Sequence, residues 1–135
     1  MPFTQDMEAA ALRHGDAAQQ LDRANARAEA AYLFGLAAEC AVKAMMLALH
    51  VPVGGTQPDP YYAHFPSFKT AVAPHMQRRG ASVLARFVTD TFLSEWNIAI
   101  RYAASSSIVS SRSDARYERW KRDAESALSA LQEFL

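Results

Sequence analysis

Apolar residues recur at alternating steps of four and three through much of the chain. Phe3, Met7, Ala10, His14, Ala17 and Leu21 make one stripe of a first helix, with Thr4 as its N-cap and Asp6 and Glu8 in the first turn. Gly15 weakens that helix by roughly 1 kcal/mol relative to alanine without having to break it. The stretch Asp22-Arg23-Ala24-Asn25 holds neither glycine nor proline. Asn25 can cap a second helix there, and one very long helix is the alternative. The second helix is expected from Ala26 to His50. Its later part is apolar nearly all round (Tyr32, Leu33, Phe34, Leu36, Ala37, Cys40, Ala41, Met45, Met46, Leu47), so other helices must surround it. Glu39 and Lys43 are the two charges in that part. They stand four apart with the acid first, the favourable order for an ion pair on one face.

The prolines and glycines between Val51 and Pro60 predict a loop. A short third helix is expected from Pro66 to Arg78, kinked or shortened at Pro74, and Gly80 marks a turn. A fourth helix is expected from Ser82 to Ala104, with Leu84, Phe87, Val88, Phe92, Trp96 and Ile100 on one broad face. Ser105 to Ser113 reads as a mobile surface loop. A fifth helix follows from Asp114 to Phe134, with Tyr117, Trp120, Ala124, Ala127, Leu131 and Phe134 in register. No segment alternates over a strand length, and no repeat or second domain is visible. The expectation is one all-α domain over residues 1–135, an antiparallel, up-and-down bundle of four or five helices.

Half of the 135 residues are hydrophobic, enough for a single core. The formal net charge is +0, with 14 basic and 14 acidic residues, so bulk electrostatics do not favour nucleic acid. A local patch is still open, because Arg112, Arg116, Arg119, Lys121 and Arg122 cluster at the start of the last helix. They read either as a solvated face or as an anion contact. The single cysteine, Cys40, cannot form an intramolecular disulfide, which fits a reducing cytoplasm. The first residues lack the basic and apolar regions of a secretory signal. The apolar run from Ala30 to Leu49 is about as long as a membrane span, but Glu39 and Lys43 near its centre would be costly in lipid. It is read as the central helix of a soluble bundle, with no membrane partner.

Most chemical motifs are missing. His14, His50, His64 and His75 are never four apart, and there is no HExxH, CxxC or Glu-x-x-His, so no metal or other cofactor is expected. Val53-Gly54-Gly55-Thr56 lacks the lysine and the spacing of a phosphate-cradling loop. Cys40, mid-helix among apolar residues, is expected to be an inert core residue.

Three stretches together resemble the HEPN family (higher eukaryotes and prokaryotes nucleotide-binding). Residues Ala30 to Ala44, an alanine-rich run carrying Glu39 and Lys43, are similar to the family's second helix. His64-Phe65-Pro66-Ser67-Phe68 stands where the family has a His-Asp-Leu segment opening the third helix, with Asp and Leu replaced. Trp96 to Tyr102 is similar to the aromatic-then-Arg-Tyr ending of the fourth helix. The resemblance implies an all-helical fold that pairs as a homodimer. It implies a place among proteins that act on RNA, belong to toxin–antitoxin or defence pairs, or accompany minimal nucleotidyltransferases and help to bind nucleotide. The family's ribonucleases carry an arginine followed after four to six residues by a histidine. The arginine stabilises charge on phosphate and the histidine moves a proton. Here Arg101 is followed by Tyr102 to Ile108 with no histidine, and no other arginine has one at that distance.

The function that follows from the resemblance is a nucleotide- or RNA-binding, or interaction, module without its own catalysis, partnering a nucleotidyltransferase. The alternatives are a divergent metal-independent ribonuclease using Arg101 with His64 or His14, and a purely structural or regulatory dimer. The candidate ligand contacts are Arg101, Tyr102, Glu39, Lys43 and His64. Arg101 would meet phosphate and Tyr102 would stack or hydrogen bond. The competing reading pairs Arg101 with Glu39 to tie the fourth helix to the second. It leaves Lys43 as a structural partner of Glu39 and His64 as a helix-entry residue.

Overall fold

The computed structural model describes residues 5–51, 59–77, 79–109 and 114–134. Phe3, Thr4, Val53 to Thr56, Arg78 and Arg112 fall outside the described residues. Every regular element among the described residues is helical. The first helix, α1, spans Met7–Arg23 and is capped by Asp6, whose carboxylate accepts from the Ala9 N–H at 2.9 Å. Asp6 is therefore the cap and not a first-turn residue. Asn25 then takes φ 63°, a left-handed conformation that asparagine tolerates, and the chain reverses. The second helix, α2, spans Arg27–Ala48, so the first two helices are separate. Asn25 makes the turn, while Ala26 occupies the N-cap position and no side chain caps the first turn.

α1 and α2 lie antiparallel. Leu21 and Ala28 share one cleft, while Met7 and Ala44 share another at the opposite end. The deepest contacts of α1 come from Ala11, Gly15 and Ala18, small residues that let two helix backbones approach. The predicted stripe (Met7, Ala10, His14, Ala17, Leu21) is only half-buried and edges that contact. α2 is the centre of the molecule. Ala30, Ala31, Phe34, Ala37, Ala38, Ala41, Val42, Met45 and Met46 are all buried. Among the described helices it alone is long and apolar enough to cross a membrane, and 72% of that stretch is buried inside the protein. The last helix, α5 (Ala115–Phe134), packs on α2 through Tyr117, Trp120, Ala124, Ala127 and Leu131. Tyr117 meets Phe34 edge-on with ring centroids 6.2 Å apart.

The middle of the chain departs from expectation. The third helix, α3, is only Ser67–Val72 and passes into a 3-10 turn at Ala73–His75, where Pro74 removes a donor. No continuous helix runs from Ser82 to Ala104. In its place are a 3-10 helix at Ala81–Phe87, irregular turns, and a second 3-10 helix at Ile98–Tyr102. Leu93 and Glu95 have φ 49° and 70°, which ends any α-helix there. Tertiary hydrogen bonds hold this path. The Leu93 N–H donates to Asp123 at 2.9 Å, the Trp120 indole to the Ser94 carbonyl at 2.8 Å, and the Trp96 indole to the Ala31 carbonyl at 3.0 Å. Within the expected serine loop, Ser105–Ile108 forms one helical turn, α4, with Ile108 buried.

Asp22 ties the end of α1 to α5, accepting hydrogen bonds from Tyr117 and from Lys121 at 2.8 Å. Burial pushes the Asp22 carboxyl upward. The Lys121 and Tyr117 hydrogen bonds, with the charges of Lys121 and Arg27, outweigh it and hold the group below its ordinary value. A carboxylate held low in the folded state stabilises the fold above its unfolded value, and that stability is lost as pH falls through the folded value. Asp22→Asn is therefore expected to flatten the acid limb below about pH 4. Urea midpoints measured across that range for both proteins check it, and equal slopes would rule it out.

Candidate functional site

The side chains singled out in the sequence fall into two separate places. Glu39, Lys43 and His64 form a cluster where the chain enters α3. The Glu39 carboxylate is 1% exposed and both of its oxygens are used. Oε1 accepts from the Phe65 N–H at 2.7 Å and Oε2 from His64 Nδ1 at 2.8 Å, with Lys43 Nζ 3.8 Å away. A carboxylate only accepts, so His64 carries its proton on Nδ1. The Lys43 ammonium also lies over the Phe68 ring, 5.4 Å from its centroid. These contacts fix the turn that begins α3 and give each carboxylate oxygen a partner within the protein. Among the described residues no three His, Cys, Asp or Glu side chains gather as a metal site.

Arg101 stands elsewhere, at the end of the second 3-10 helix. It does not pair with Glu39: the guanidinium is exposed and the carboxylate buried, and each has other partners. Hydrogen bonding to Tyr32 and the neighbouring Tyr102 raise the Arg101 pKa above its ordinary value. The guanidinium carbon sits 4.9 Å from the Tyr102 ring centroid, and Tyr102 is itself 80% exposed. No carboxylate among the described residues forms an ion pair with Arg101. A cation stacked on Tyr102 and left without an anion is set up to receive one.

Arg101 lines a cleft of about 430 Å³, a size typical of small-molecule sites. Leu21 at the end of α1, Ala28 and Leu33 of α2, and Ile100, Ala103 and Ile108 give it an apolar lining. Glu29, Tyr32, Arg101 and Ser105 supply the polar groups. A second hollow of about 320 Å³ adjoins it across Ala28, Glu29 and Ser105, at the uncapped start of α2. Neither Glu39, Lys43 nor His64 lines either hollow, and neither does His14.

No family model, no curated protein and no solved structure matches the chain.

Of the five expected contacts, only Arg101 lines this cleft, with Tyr102 stacked beside it. Tyr32 and Glu29 were missed. Tyr32 reads in the sequence as one more core aromatic of an apolar helix. The available signal was spacing, because Glu29, Tyr32 and Leu33 share the face of α2 on which Leu36 and Cys40 are also only half-buried. The basic cluster of α5 is largely occupied by protein. Arg116 donates to the Ser107 and Ile108 carbonyls at 2.9 Å each, Arg119 lies 3.7 Å from Glu95, and Lys121 holds Asp22.

Proposed function

We propose that the chain is a HEPN-like helical bundle that binds a nucleotide, free or within single-stranded RNA, in the cleft beneath Arg101, and has no catalysis of its own. One observation carries this reading. An exposed arginine, stacked on Tyr102 and without a carboxylate partner among the described residues, borders an apolar cleft of nucleotide size that Tyr32 also lines. Arg101 receives the phosphate. The base lies against Leu33, Ile100 and Ile108, with the Tyr32 ring beside it. The first-turn residues of α2 line the adjoining hollow. Lacking a side-chain cap, they add a favourable field for negative charge.

The ribonuclease alternative needs a proton carrier beside Arg101. His64 is engaged at Glu39 instead, and neither His64 nor His14 lines the cleft. The resemblance extends the proposal to pairing of two copies, to a nucleotidyltransferase partner within a toxin–antitoxin or defence pair, and to the cytoplasm.

The test is equilibrium binding of ATP and of a short single-stranded RNA to the purified protein and to Arg101→Ala. A charge-assisted phosphate contact predicts at least a roughly tenfold loss of affinity in the variant, for both ligands. Equal binding by the two proteins would place the site elsewhere. Absence of binding by the wild type would end the nucleotide reading.

A further inference from the structure

The Arg101 cleft contains a feature at odds with a simple anion site. Glu29, exposed in the first turn of α2, lines both the cleft and the adjoining hollow. It forms no ion pair with Arg101 or with any other described residue, although the two opposite charges border one cavity. A carboxylate beside a bound phosphate repels it. The arrangement suits a ligand that brings an anion to Arg101 and hydrogen-bond donors to Glu29. An ionised carboxylate has two oxygens and no donor, so it pairs with two neighbouring hydroxyl groups. The ribose of a free 5′-nucleotide, or of the 3′-terminal residue of an RNA, carries such a pair at its 2′ and 3′ positions, on the sugar that joins base to phosphate. The base, on the far side of the ribose from the phosphate, would lie against the apolar lining.

We infer that Glu29 holds the ribose diol, so that the cleft selects ribonucleotides over 2′-deoxyribonucleotides. This rests on the nucleotide reading of the cleft and adds the class of sugar to it. Glu29 reads the 2′-hydroxyl by its position on the helix that also carries Tyr32. Selection is therefore independent of the base.

The experiment compares AMP with 2′-deoxy-AMP, and UMP with 2′-deoxy-UMP, on the wild type, Glu29→Ala and Arg101→Ala. Glu29 is exposed, and circular dichroism verifies that its variant keeps the helical content. The wild type is expected to prefer each ribonucleotide roughly tenfold, as for a hydrogen bond to a charged group. In Glu29→Ala that preference collapses. Ribonucleotides, which lose both hydroxyl contacts, weaken more than the deoxy forms, which lose only the one at the 3′ position. Arg101→Ala weakens all four together. Equal binding of ribo and deoxy forms by the wild type overturns the inference and leaves the cleft as a nucleotide site. A Glu29 effect confined to AMP, the ligand with an exocyclic amine, also overturns it by assigning Glu29 to the base. If the wild type binds none of the four, both the inference and the nucleotide reading fall.

Discussion

Glu39→Ala is expected to remove about 3–5 kcal/mol of folding stability, the usual cost of deleting one partner of a buried charge pair. Several groups lose their acceptor at once. The Phe65 N–H and His64 Nδ1 are both held by this carboxylate, at 2.7 Å and 2.8 Å. Lys43, itself 5% exposed, is left with the Phe68 ring and no neighbouring anion. A small domain has only about 5–15 kcal/mol to lose, so the variant should sit near the edge of folding. Glu39→Gln keeps an oxygen for Phe65 but not the charge, and should fall between the two. Urea unfolding at constant slope measures both. A Glu39→Ala midpoint within about 1 kcal/mol of wild type would mean that the cluster does not hold the start of α3.

Gly35→Ala should destabilise the protein by about 1–3 kcal/mol, although alanine is the better helix former. A Cβ at position 35 would fall 1.9 Å from Cε2 and 2.2 Å from Cζ2 of Trp96. The indole cannot yield easily, because it is 1% exposed and its Nε1 donates to the Ala31 carbonyl. Gly15→Ala is the matched control on α1. Its Cβ would meet Leu128 Cδ1 at 2.7 Å, the tip of a flexible side chain that can turn aside. There the propensity gain of roughly 1 kcal/mol should offset most of the crowding and leave stability nearly unchanged. Thermal or urea unfolding of the two variants side by side decides the matter. A Gly35→Ala protein as stable as wild type would show that Trp96 is not locked against α2.

The two glycines illustrate what the sequence could and could not convey. Helices α1 and α5 are legible because their apolar positions repeat with the helical period over 17 and 20 residues, and α2 through its long alanine-rich apolar run. Asn25 reads in the sequence as a cap of the second helix, with one unbroken helix as the alternative, whereas it makes a left-handed turn and Ala26 takes the N-cap position. The segment from Ser82 to Ala104 misleads for a physical reason. Ala81, Leu84 and Phe87 are buried at intervals of three, the period of a 3-10 helix, which a few residues cannot distinguish from 3.6. The left-handed Leu93 and Glu95 are not residue types that announce such a backbone. Their conformation is set by distant partners, Asp123 and Trp120, which lie 30 and 26 positions from the groups they bond.

The candidate site divides in the same way. Arg101 stands out through the resemblance of Trp96 to Tyr102 to the aromatic-then-Arg-Tyr ending of a HEPN fourth helix. The competing pairing of Arg101 with Glu39 does not form, because His64 and the Phe65 amide, 25 and 26 positions away, take that carboxylate. Tyr32 and Glu29 escaped notice because burial of α2 is uneven around its circumference. Only the packing of α1 and of residues 98–108 decides which strip of the helix stays open.

The chain's isoleucines, Ile98, Ile100 and Ile108, offer a direct reading of the central claim, since Ile100 and Ile108 both line the Arg101 cleft. The measurement is a methyl-detected NMR titration of isoleucine-labelled protein with AMP, repeated on Arg101→Ala. A ligand seated in the cleft predicts saturable shifts of the Ile100 and Ile108 methyl signals in the wild type and much weaker ones in the variant. Isoleucine signals that stay fixed while AMP reaches millimolar concentration, or that move equally in both proteins, would contradict the assignment of this cleft as the nucleotide site.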